Sequence, residues 1–384
     1  MLEFGSRQVS VASRRNLWIV NFLPTRDWLV DRYTRTIKVW MASRLSWLGS
    51  CTNSQLGILA RAVGVNSSGT KPILTAHLLD HLPKATLAPY KHRDTLQEPC
   101  RILSIDMGIR NLAYCCLVLP RTGSGIATDI GNPVVEDWTR IAISKGLDKS
   151  KQAEDLVPNK AIKEVKRSGK IKISNPKEAF DPATYSQHAY DLITTLLEDL
   201  KPTHILIERQ RFRSMGGSAV QEWTLRVNMF EAMVYAVLKT FAERGLWKGT
   251  VHPIAPSKVS NFWITNKQGA LKEGPGSKSA KTKTAKIELV AEWLDEGAHF
   301  EMKGAAAQLG QAYLRKKRRK DSKSLVKQKK LSESKAQGVA QDSVEKLDDL
   351  ADCLLQAMAW IKWEKNRRLI MARGAAALGE LEEH

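Results

Sequence analysis

The chain has 384 residues, with 60 Lys and Arg against 40 Asp and Glu, a formal net charge of +20, and 43% hydrophobic residues. That apolar fraction supports a sizeable core and argues against wholesale disorder, and the length suggests two or three domains. No run approaches the ~18 uninterrupted apolar residues of a membrane span, five Cys without repeated spacing argue against a disulfide scaffold or structural zinc, and the basicity points to a polyanionic partner, nucleic acid ahead of a membrane.

The charge is unevenly placed. Residues 315–330 hold ten cations and one acid, and residues 1–44 hold eight cations and three acids. The first block reads as a solvated loop or as a direct DNA contact. The second is Arg-rich and acid-poor, which fits a mitochondrial presequence or a flexible arm over 1–44, while Met41 offers an alternative start.

In chain order, 45–84 reads as a small helical unit. Leu56, Leu59, Ala60 and Val63 recur at helical spacing over 54–63, with Ser54 as the expected cap and Gly64 as the stop. A turn over 66–70 leads to a second helix over 71–82, with Leu74, Leu78 and Leu79 on one face. This hairpin, with its Gly69, Thr70 and Lys71, resembles the SAP motif, a helix-extended-helix DNA-binding module, which makes Lys71 a candidate DNA contact. Residues 85–100 read as a linker.

From 101 the pattern turns to strands. Residues 102–107 are apolar and β-branched with Asp106 near the end; Gly108 turns the chain into a second strand over 112–119, where Cys115 and Cys116 read as buried thiols. A weaker strand over 134–143, a polar loop over 145–176 and an amphipathic helix over 182–200 follow. The strand over 204–208 again ends in an acid, Glu208. Then come a long helix over 219–244, a strand over 250–254, short helices over 256–263 and 283–294, a basic insertion over 301–341 and a final helix over 343–368. This order predicts a mixed sheet flanked by helices, an α/β body over 101–370.

Asp348, Asp349 and Asp352 lie on that last helix, where i, i+4 and i, i+3 spacing stacks them among apolar neighbours. Clustered carboxylates are costly to bury unless cations neutralise them. Divalent magnesium suits carboxylate oxygens, and two such ions about 4 Å apart promote phosphodiester cleavage. An acidic pocket on a basic chain therefore points to a phosphodiesterase.

Three segments, ILSIDMGIRN at 102–111, ILIERQR at 205–211 and DDLAD at 348–352, resemble the acidic motifs of the RuvC-like branch of the RNase H-like fold. With the preceding hairpin, the set is similar to the fungal mitochondrial cruciform-cutting resolvases. The resemblance implies a homodimer that nicks four-way DNA junctions symmetrically in the mitochondrial matrix. It implies two Mg²⁺ or Mn²⁺ ions per site and no small-molecule cofactor. Asp106 would bridge both metals, Glu208 would bind one, and Asp352 with Asp348 or Asp349 would complete the set, with the i, i+4 pair Asp348 and Asp352 preferred. Lys258 and Lys283 or Lys286 fall where related resolvases place basic residues facing the scissile strand, and Lys286 would stabilise phosphate charge. Arg209, Gln210, Arg211 and Arg213 are candidate phosphate contacts, and Phe212 either stacks on an unpaired base or lies in the core. The apolar helix over 219–241 either joins a dimer interface or covers the sheet. Two alternatives stay open: a junction-binding protein that does not cut, and another RNase H-like nuclease acting on hybrids or in strand transfer.

Overall fold

The computed structural model describes residues 44–84, 99–120, 131–143, 181–210, 222–264, 278–330 and 342–382. The expected presequence or arm, most of the linker, the loop over 145–176, the tail of the basic insertion, and Arg211, Phe212 and Arg213 lie outside the described residues. No helix among the described residues is long and apolar enough to cross a membrane. Trp47–His384 forms one compact unit. Its elements run α1 (Asn53–Ala62), α2 (Lys71–His81), β1 (Cys100–Asp106), β2 (Leu112–Leu119), β3 (Val134–Ile141), α3 (Pro182–Leu200), β4 (His204–Glu208) and α4 (Glu222–Glu243). They continue with β5 (Thr250–Ile254), α5 (Pro256–Trp263), α6 (Lys278–Glu296), β6 (Glu301–Met302), α7 (Gly304–Lys330), α8 (Asp342–Arg373) and α9 (Ala377–Glu382).

The strands form one six-stranded sheet in the order β5-β4-β1-β2-β3-β6. β1, β2 and β3 are antiparallel neighbours, while β4 runs parallel to β1, β5 parallel to β4, and β6 parallel to β3. Alternation along β1 and β4 divides their side chains between two cores. Leu103, Ile105, Ile205 and Ile207 meet buried residues of α3 and α4, including Tyr185 and Phe230, whereas Ile102 and Leu206 meet α5, α6, α7 and α8. The expected mixed sheet flanked by helices is the observed architecture. Cys115 and Cys116 are fully buried, one on each face, and free.

The stretch read as a basic insertion over 301–341 begins inside this body. β6 pairs with Val134 and Val135 of β3, and Ala306, Leu309 and Tyr313 of α7 are buried, the Tyr313 ring lying 5.5 Å from that of Trp138. Those three positions recur at helical spacing ahead of the charge block, which begins only at Arg315. Net charge over the whole segment hides an apolar stripe confined to its first third.

The N-terminal hairpin forms, with one change of detail. Thr52, not Ser54, caps α1: its hydroxyl accepts from the Gln55 N–H while the Gln55 side chain accepts from the Thr52 N–H. Past the end of α1, Gly64 takes φ +69°, and a Cβ there would fall 2.3 Å from the Trp363 ring of α8. Two further α8 side chains receive the carbonyls that the end of α1 leaves open. Asn366 donates to Ala62 O at 2.8 Å and Arg367 to Val63 O at 3.0 Å. Gly64→Ala therefore brings a left-handed residue, costing about 1–2 kcal/mol, together with a ring clash. Thermal unfolding should show a fall in Tm of several degrees with native helix content kept; an unchanged Tm would contradict this docking.

Candidate active site

Pleating places Ser104 and Asp106 of β1, and Leu206 and Glu208 of β4, on the face that α8 covers. Ser104 lies beside Leu206 and Ile105 beside Ile207 in the parallel register, so Asp106 and Glu208 end neighbouring strands at the same level. In open α/β sheets such carboxyl ends of parallel strands are where ligands bind. α8 crosses them and is held in register by buried donors. The Gln356 amide, one turn beyond Asp352, donates to Ser104 Oγ at 3.0 Å, Ile105 O at 3.3 Å and Leu206 O at 3.4 Å. Trp138 donates to Leu350 O and Trp263 to Leu355 O, both at 3.0 Å.

The result is a close group: one carboxylate oxygen from each of Asp106, Glu208 and Asp352 lies within 4.8 Å of the others. Asp348 and Asp349 stand outside that trio. Two lysines of α6 reach the α8 acids, Lys286 Nζ at 2.6 Å from Asp352 Oδ1 and Lys283 Nζ at 2.6 Å from Asp348 Oδ2. Burial disfavours charge on both amines, yet their carboxylate partners outweigh it and raise both pKa values.

The acids show the opposite imbalance. Burial first, then the charges of Glu208, Asp352 and Asp349, hold the Asp106 carboxyl well above the usual range. Burial also raises Asp352, although Lys286 works against the shift. Asp349 is pushed up to about 7 by burial and by Asp348, with Arg140 opposing. Its Oδ2 is buried with no hydrogen-bond partner among the described residues.

Most expected site residues can be placed. Asp106, Glu208 and Asp352 converge as expected. Lys286 pairs with Asp352, and Lys283 with Asp348. Arg209 is exposed directly after Glu208, its backbone N–H bonded to Ile254 O; Gln210 is half-buried and donates to Met107 O at 3.3 Å. Lys71 is exposed in the first turn of α2, and Lys258 is half-buried on α5. Gln356 was missed. Its signal is a lone amide in the apolar stretch 353–361, four residues past Asp352, where a buried polar group must find partners.

This donor set fits a divalent cation. It offers carboxylate oxygens only, as magnesium and manganese prefer, and Asp349 Oδ2 beside it is buried without a hydrogen-bond partner among the described residues. A stability test follows. A carboxyl whose folded pKa is about 7 favours folding below its unfolded pKa of about 4, and that contribution is lost as pH rises through about 7. Metal-free protein should therefore lose Tm between about pH 5 and pH 8. Saturating Mn²⁺ should offset the loss, and Asp349→Asn should reduce it. A metal-free Tm that is flat or rising over that range would contradict this reading.

Two curated proteins resemble this chain over most of its length. The protein named "Cruciform cutting endonuclease 1, mitochondrial" of Schizosaccharomyces pombe is 25% identical over 313 residues, covering 80% of this chain and 90% of its own. The protein of the same name from Saccharomyces cerevisiae is 22% identical over 339 residues, covering 85% and 86%. Among solved structures, the yeast mitochondrial Holliday junction resolvase Ydc2 aligns over 86% of this chain and 95% of its own at 21% identity, with a TM-score of 0.46, too loose to carry weight. The family model described as "Mitochondrial resolvase Ydc2 / RNA splicing MRS1" matches residues 102–370, from β1 through almost all of α8, and the chain belongs to that family.

Proposed function

We propose that this protein is a structure-selective endonuclease that resolves four-way DNA junctions in the mitochondrial matrix by paired nicks. It would act as a homodimer, with two magnesium or manganese ions per site. The observation that carries this reading is the convergence of Asp106, Glu208 and Asp352, in a chain of net charge +20 whose two named relatives are cruciform-cutting endonucleases.

In this reading Asp106, Glu208 and Asp352 hold the cations. Asp349 is the fourth acid in preference to Asp348, because the charge of Asp349 acts on Asp106. When bound, divalent cations lower the pKa of an attacking water and offset charge on the scissile phosphate. Lys286 and Lys283 hold Asp352 and Asp348 in place and limit the repulsion among the acids. Gln356 sets the distance between α8 and the strand ends. Arg209, exposed beside Glu208, is placed to draw the DNA backbone toward the acids. The symmetry of a four-way junction suits a two-fold dimer with one acid cluster per cut strand. Val227, Phe230 and Val234 of α4 already cover the sheet, so a second copy would meet another face of α4, where Leu225 is 50% exposed.

The family description also includes RNA splicing, which suggests a second reading, nucleic-acid binding without cleavage. The acids argue for cleavage, because a binding surface for polyanions gains nothing from buried carboxylates that repel phosphate. Purified protein with a synthetic four-way junction and Mg²⁺ should give paired incisions that EDTA abolishes. Asp106→Asn should lower the single-turnover rate by more than the roughly 10–100-fold typical of a metal's outer partners, and Asp349→Asn should lower it more than Asp348→Asn. Tight junction binding with no incision in Mg²⁺ or Mn²⁺ would favour the splicing-type reading.

A further inference from the structure

The hairpin and the body enclose a cleft away from the trio of acids. Arg61, Asn66 and Ser67 line it from the end of α1 and the following turn, and Ser257, Lys258 and Asn261 line it from α5; its volume is about 340 Å³. The walls are polar and hold no aromatic or carboxylate side chain, which suits a small anionic group rather than an apolar ligand. It holds two cationic side chains, Arg61 and Lys258. Burial and the neighbouring Arg367 guanidinium both push the Lys258 pKa down, and no described carboxylate acts on it. Arg367 itself is bound to Glu364 and to Val63 O, so its ion pair is already made. A half-buried ammonium beside another cation is unfavourable in isolation and becomes favourable once an anion enters.

The cleft is also fixed relative to the acids. Its floor includes Gly64, which lies on Trp363, and the carbonyls before it are held by Asn366 and Arg367. Those three side chains belong to α8, the helix that carries Asp352.

We propose that this cleft binds a backbone phosphodiester of one DNA arm, with Lys258 as its principal cation and the hairpin turn as its second wall. This deepens the endonuclease reading and rests on it. A phosphate seated here stands at a set distance from the acid cluster along one rigid helix, so the cleft fixes where the arm lies relative to the cut.

The test uses full-length protein and a labelled four-way junction in EDTA, titrated across salt concentrations. Lys258→Gln should weaken binding roughly tenfold at low salt and lower the slope of log K against log salt by about 0.9, the share of one phosphate contact. Lys258→Arg should restore most of both. Thermal unfolding of Lys258→Gln should give a Tm equal to or above that of the parent, since the change relieves repulsion; weaker binding accompanied by a lowered Tm would mark a packing role and overturn the inference. A Lys258→Gln variant with the parent's affinity and slope would overturn it as well. So would inorganic phosphate that protects the parent but not the variant, with junction affinity equal in both, since the cleft would then take a small anion. A parent protein that fails to bind the junction at all removes the endonuclease reading first, a different and distinguishable failure.

Discussion

A buried side-chain amide reaches from α8 across two parallel strands, and the acid cluster depends on it. Gln356 touches β1 through Ser104 and Ile105 and β4 through Leu206, so the helix cannot slide without leaving polar groups unpaired in the interior. An unmade hydrogen bond of this kind costs about 1–3 kcal/mol. Asp352 stands one turn before the amide, Asp106 directly follows Ile105 and Glu208 lies two residues past Leu206, so one set of contacts holds all three carboxylates together. Repulsion among them opposes that arrangement. The body sustains it with Lys286 and Lys283, with hydrophobic contacts along α8, and, in the proposed function, with divalent cations.

Much of this was legible because strand alternation and helical spacing are strong signals. Asp106 and Glu208 each end an apolar run, and a parallel pairing of those runs is enough to set them side by side. The spacing of 348, 349 and 352 put the remaining acids on one helix. What spacing does not reveal is which of the doublet faces the strands. That choice depends on the angle at which α8 crosses the sheet and on Lys283, which comes from a separate helix and engages Asp348. The pairing of Lys286 with Asp352 is hidden from the sequence for a related reason: a lysine on α6 carries no local mark of the carboxylate that the fold brings to it.

Composition misled where it was averaged. Residues 301–341 read as basic as a whole, yet Ala306, Leu309 and Tyr313 complete the core beside Trp138. The hairpin was read as a module before a linker, while its contacts with Trp363, Asn366 and Arg367 are long-range and leave no local pattern. Both cases have one physical cause, since tertiary partners far apart in the chain settle the role of a segment whose own periodicity is short.

The central claim is that oxygens from β1, β4 and α8 form a single seat for divalent cations. Anomalous diffraction from crystals soaked in Mn²⁺ tests it most directly. The account predicts a manganese peak bound by Asp106, Glu208 and Asp352, with Asp349 as the further acid. Manganese bound elsewhere, with those side chains turned apart or closed onto lysines alone, would contradict it.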